Sequence, residues 1–163
     1  MIYSIRAQNA RRERKTKDVM RSGTMGEEWT EITATWKGDL TLLARNEAGG
    51  QVQMGEWNGQ PGVGPMQLLL AALAGCTGMD VISILKKKRV ALRDFHVRVR
   101  GKRAADHPRI WTDIHVTYLL WGRDIQAGDV EQAIRLSEEK YCSVGAMLRC
   151  AARVTSSYQI FNE

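Results

Sequence analysis

The segment PMQLLLAALAGCTGMDVISILKKKRV, residues 65–90, decides how the rest of the chain is read. Leu69, Ala72, Leu73, Cys76, Asp80 and Ser83 recur at three- and four-residue spacing. This predicts a helix with one face that passes from aliphatic groups through a thiol to two short polar groups. Leu68, Leu70, Ala71, Met79, Val81, Ile82, Ile84 and Leu85 fill its flanks. A helix apolar nearly all round needs cover on most sides, from sheets or from a partner chain. Pro65 suits the first turn, where no backbone N–H is required, and the basic run Lys86 to Arg89 suits the negative end of the helix dipole. The uninterrupted apolar run, Leu68 to Ala74, is far shorter than the roughly 20 residues of a bilayer span, and Asp80 follows it closely, so no membrane association is expected.

Upstream of this helix, the loop 55–64 carries four glycines and Pro61 and reads as turns. Before it, Ile32, Ala34 and Trp36 alternate with Glu31, Thr33 and Thr35. A Gly38-Asp39 turn then leads into Leu40 to Arg45, and Gly49-Gly50 into Gln51 to Met54, which predicts a three-stranded meander. Downstream, Phe95, Val97 and Val99 face away from Asp94, His96, Arg98 and Arg100. Ile114, Val116, Tyr118 and Leu120 likewise oppose Asp113, His115 and Thr117, giving two half-solvated strands. Asp129 starts a helix using Val130, Ala133, Ile134 and Ser137, and a second helix begins near Cys142 or Ser143. Residues 154–161 form a closing strand. The order β-β-β-α-β-β-α-α-β, built of hairpins without regular βαβ units, predicts an α+β fold with antiparallel sheets.

At 163 residues with 44% hydrophobic and 26% charged side chains, the chain suits one core. It is expected to divide into a basic, mobile N-terminal arm over residues 1–26 and one domain over 27–163. The arm holds seven Lys or Arg against two acids, so most of the net charge of +6 belongs to it and the rest is nearly neutral. Nucleic acid is therefore an unlikely partner of the domain. An Arg-rich leader of this kind can also be a transit peptide or an early start, with Met25 as the alternative. Cysteines at 76, 142 and 150, without a CxxC pair, favour a reducing compartment, and no signal-type apolar region precedes the domain, so the expected location is cytoplasmic.

Cys142 lies where a helix begins, and the positive dipole end there favours a thiolate. The bland alternative is that Cys76 and Cys142 are two small buried hydrophobes, as free cysteines often are. Cys150 belongs to no motif. His96, His107 and His115 have no metal-ligand spacing with the cysteines, GxSxG is absent, and the glycine loop lacks a following GK[ST]. No metal or cofactor is expected.

GPMQLLLAALAGCTGMDVISILKK resembles the first-cysteine helix of the OsmC/Ohr family, the osmotically inducible and organic hydroperoxide resistance proteins, and LSEEKYCSVGAML is similar to its second-cysteine motif. WGRDIQAGDVEQAI and the paired strands before it are also family-like, most similar to the YhfA-type branch. The resemblance covers residues 30–161. It implies an intertwined homodimer in which antiparallel sheets of both chains wrap the central helices. It also implies a thiol-dependent peroxidase acting on organic or hydrogen peroxides in a stress response. Cys76 would become a sulfenic acid, Cys142 would condense with it to a disulfide, and a dithiol or lipoyl-type reductant would reopen the bond. Family peroxidases hold a Glu ten residues before the first cysteine, which orients an activating Arg; here that position is Met66. Arg45 is then the candidate cation and Glu56 the candidate acid. The alternative on the same dimeric fold is a non-enzymatic protein that binds a thiol or a small ligand.

Overall fold

Helix α1 spans Pro65–Lys87, and its ends follow from its residues. Gly64 precedes it in extended backbone, the Gln67 side chain accepts a hydrogen bond from Gly64 N at 2.8 Å, and Lys86 and Lys87 close the last turn. The computed structural model of the chain describes residues 29–162, so the arm expected over residues 1–26 lies outside it. By length and composition alone α1 could cross a membrane. In this fold its stripe Leu73, Thr77, Val81 and Leu85 is buried against a sheet, together with Gly78. A Cβ on Gly78 would lie 3.2 Å from Val97 Cγ2, so the missing side chain sets how closely helix and sheet approach.

Two sheets flank this helix in sequence. The first is the expected meander, β1 (Ile32–Gly38), β2 (Thr41–Asn46) and β3 (Gln51–Met54), antiparallel throughout. The glycine loop adds a small hairpin that its sequence did not suggest, β4 (Glu56–Trp57) and β5 (Gln60–Pro61). Gln53 Nε2 pins that loop by donating to the carbonyls of Gly55 and Gln60. The second sheet contains β6 (Ala91–Arg103), β7 (Trp111–Arg123) and β8 (Arg153–Asn162) in that order. β6 and β7 form a long antiparallel ladder that opposes Phe95 to Leu120 and Val97 to Tyr118.

β8 departs from the expectation of antiparallel sheets. It pairs parallel to β7, with Ile114 opposite Val154 and Leu120 opposite Ile160. The chain between them carries α2 (Ala127–Leu136), a wide turn of π-helical hydrogen bonding (Ser137–Tyr141) and α3 (Ser143–Arg149). This crossover returns the chain to the end where β7 began, so the next strand must run in the same direction. Leu73, Val81 and Leu85 of α1, Val116, Tyr118 and Leu120 of β7, and Val130 and Ile134 of α2 form the buried core of this half. Among the described residues, the first sheet shares at most sparse contacts with the second sheet and the helices.

Candidate active site

Cys76 sits midway along α1, half-buried, on the turn before Asp80. Cys142 arrives from the other side. The π-type turn ends with Cys142 N donating to Ser137 O at 2.8 Å, after which Cys142 caps α3. Wide turns of this kind are common at functional sites because they displace the next residue from the helical path. The thiol accepts a hydrogen bond from Gly145 N at 3.3 Å. The two sulfurs and a carboxylate oxygen of Asp80 all lie within 4.8 Å of one another. The structure thus brings together the two cysteines singled out by sequence, while Cys150 is exposed, its sulfur against the Ala146 carbonyl.

The expectation of a thiolate at Cys142 does not survive its surroundings. Burial, then the Cys76 thiol beside it, push the Cys142 pKa up to about 11, and the Gly145 N–H offsets only part of this. Only 5% of the residue is exposed. Helix position was legible in the sequence, but Leu73, Tyr118 and Val154, which line the narrow cleft around it, were not.

Arg149 is the cation of this cleft, and sequence reasoning missed it. Its guanidinium and the Cys142 sulfur each lie within 3.5 Å of where a Cβ on Gly145 would stand, so they are less than 7 Å apart. Arg149 Nη2 also donates to the Glu138 carbonyl. The signal was the spacing Cys142, Gly145, Arg149, which stacks all three on one side of a short helix. Arg45 stands exposed on β2, its Nε donating to Gln51 Oε1 at 3.2 Å, and Glu56 stands exposed on β4. Neither lines the cleft around Cys142. Gln67, next to Met66, is engaged in capping α1.

A line of hydroxyls runs from this site into the core. Tyr118 Oη lies 2.6 Å from Thr77 Oγ1, which lies 2.9 Å from Ser137 Oγ, and Ser137 Oγ donates to Asp80 Oδ2 at 2.9 Å. Burial pushes the Tyr118 phenol up to about 12. Cys76, Asp80 and Cys142 form a group of donor atoms close enough to share an ion. No metal is assigned to them, because a guanidinium already lies beside Cys142 and two neighbouring thiols equally suit a disulfide. The histidines lie elsewhere: His115 is held between Thr155 and Ser157 at 2.8 and 2.9 Å, and His96 lies 3.2 Å from Asp94.

Residues 58–157 match the family model described as OsmC-like protein. The chain is 38% identical over 125 residues to Protein YhfA of Escherichia coli strain K12, covering 77% of this chain and 93% of that protein. A crystal structure of a hypothetical protein from Aquifex aeolicus VF5 superposes with a TM-score of 0.75 at 34% identity, covering 83% of this chain and 98% of the other. The organic hydroperoxide resistance protein OhrB of Bacillus subtilis shares the fold, with a TM-score of 0.56, 18% identity, and coverage of 82% and 100%.

Proposed function

The chain belongs to the OsmC-like family, and from that premise we propose that it is a thiol-dependent peroxidase that reduces organic or hydrogen peroxides. The observation that supports this reading is the pair of sulfurs within 4.8 Å. A disulfide needs about 2.05 Å between them, so closure requires under about 3 Å of movement at the start of a short helix. Cys76, the more accessible sulfur, attacks one peroxide oxygen as the thiolate. The O–O bond breaks, the alcohol or water leaves with a proton, and Cys76 becomes a sulfenic acid. Cys142 then attacks that sulfur, an S–S bond forms, the S–O bond breaks, and water departs. An external dithiol of lipoyl type reduces the disulfide by exchange and is itself oxidised.

In this reading the active molecule is a homodimer in which the first sheet of a second copy covers the outer face of α1. The test is stopped-flow reduction of cumene hydroperoxide with a dithiol reductant, comparing wild type with Cys76→Ser. The variant is expected to lose at least about 100-fold in rate, on the scale of removing a nucleophile. Equal rates would overturn the proposal. Met66 in place of the family acid favours a second reading, a protein that binds a thiol or small ligand without turnover; it would be supported by peroxide-inert Cys76 in a folded dimer.

A further inference from the structure

Tyr118, Thr77 and Ser137 are buried to 2% exposure or less, although apolar residues of the same size would fill their places without desolvation cost. Fully bonded polar chains of this kind fix a geometry that an apolar core leaves loose. The chain has a direction. Ser137 spends its one proton on Asp80, so Thr77 spends its own on Ser137, and Tyr118 donates to Thr77. All three O–H groups therefore point along the line toward Asp80. That hydrogen bond fixes the carboxylate on α1 and leaves it further acceptor capacity beside the two sulfurs.

Resting on the peroxidase reading, we propose that Asp80 is the base of the disulfide-forming step. It takes the thiol proton of Cys142 as that sulfur attacks the Cys76 sulfenic acid, and passes it to the hydroxide that leaves, so that water departs. Electrons balance within the pair, because the sulfenic sulfur is reduced as the thiol sulfur is oxidised to the disulfide. The need for a base follows from the burial of Cys142. Desolvation pushes the Cys142 pKa up, so its sulfur meets the sulfenic acid as the neutral thiol unless a base removes the proton. The hydroxyl line positions Asp80 for this task and does not itself react.

The other charged or titratable groups that face this site come from each neighbouring element. They are Lys87 of α1 and Tyr141 of the wide turn, which share a cleft with Asp80, and Tyr118 of β7, Glu138 of the wide turn and Arg149 of α3, which line the cleft of Cys142. The reduced full-length protein is mixed with one equivalent of cumene hydroperoxide, and sulfenic acid is trapped with dimedone while disulfide formation is followed by quenched flow from pH 6 to 10. In Asp80→Asn, Cys76 is still expected to form its sulfenic acid, whereas the disulfide forms about 100-fold more slowly and the dimedone adduct accumulates. The residual rate should climb about tenfold per pH unit, following hydroxide, where wild type stays flat. Asp80→Glu, which keeps a carboxylate, should restore the flat profile at reduced rate. An unchanged rate of disulfide formation in Asp80→Asn, or a steep wild-type profile, would overturn the assignment. Formation of neither sulfenic acid nor disulfide in wild type would instead remove the peroxidase reading, and this step with it.

Discussion

Cys142 illustrates how a single side chain answers to opposing forces. A helix start and one backbone N–H favour its anion, yet burial and two neighbouring acids outweigh them and raise its pKa from 9.0 to about 11. Stability should register this. Between those values the unfolded chain has lost the Cys142 proton while the folded chain still binds it, so the Cys142 contribution to stability falls as pH rises through the window from 9 to 11 and levels off above it. Two pKa units correspond to about 2–3 kcal/mol, an upper figure for a group coupled to its neighbours. Urea unfolding of the reduced protein at pH 8, 9.5 and 11 should show this loss. Cys142→Ala should delay the decline until Tyr118, raised from 10.0 to about 12, begins to contribute. At this scale both sulfurs of the candidate site were legible in the sequence. Their electrostatics were not, since Leu73, Tyr118, Val154 and Arg149 reach Cys142 from four separate elements.

At the scale of elements, periodicity located α1, the meander and the long hairpin, and it failed where the answer depended on what an element packs against. The expected special face of α1, Leu69 to Ser83, is rotated from the stripe that the sheet covers, so that Leu73, Thr77, Val81 and Leu85 are buried and Asp80 lies at the border. An apolar pattern on all sides states that cover is needed, but not which side receives which cover. The parallel pairing of β8 was likewise hidden, because a strand sequence does not record the direction of its neighbour. Gly78 marks the contact between helix and sheet. Gly78→Leu should destabilise the protein by about 1–3 kcal/mol through overpacking against Val97 and Phe95, measured as a lowered urea midpoint at unchanged slope. A stable Gly78→Leu variant would mean that α1 moves freely over this sheet.

For the whole molecule, the question is what faces the surfaces that one chain leaves uncovered. Trp36 and Ile32, on one parity of β1, are 70% and 60% exposed, and Met79 on α1 is 74% exposed. Along α1, Leu69, Ala72, Gly75, Met79 and Ile82 follow one another at three- and four-residue spacing, and all are exposed. Ala72 and Gly75 are small enough to let another backbone come close, and the larger residues on either side supply apolar area. Contiguous apolar surface of more than a few hundred Å² is uncommon on a monomer. The first sheet is the other half of the same problem, since among the described residues this meander shares at most sparse contacts with its own chain's core. Both surfaces are satisfied together if the sheet and helix of one copy pack on those of another, as an obligate dimer interface of more than about 2,000 Å² in total would do. Sedimentation at micromolar concentration is therefore expected to give a dimer. Ile82→Asp, which places a charge at the C-terminal end of the uncovered stripe and leaves the buried residues Leu73, Thr77, Val81 and Leu85 unchanged, should shift it toward monomer and lower its melting temperature. A wild-type monomer, stable and soluble under those conditions, would show that these apolar faces need no second copy.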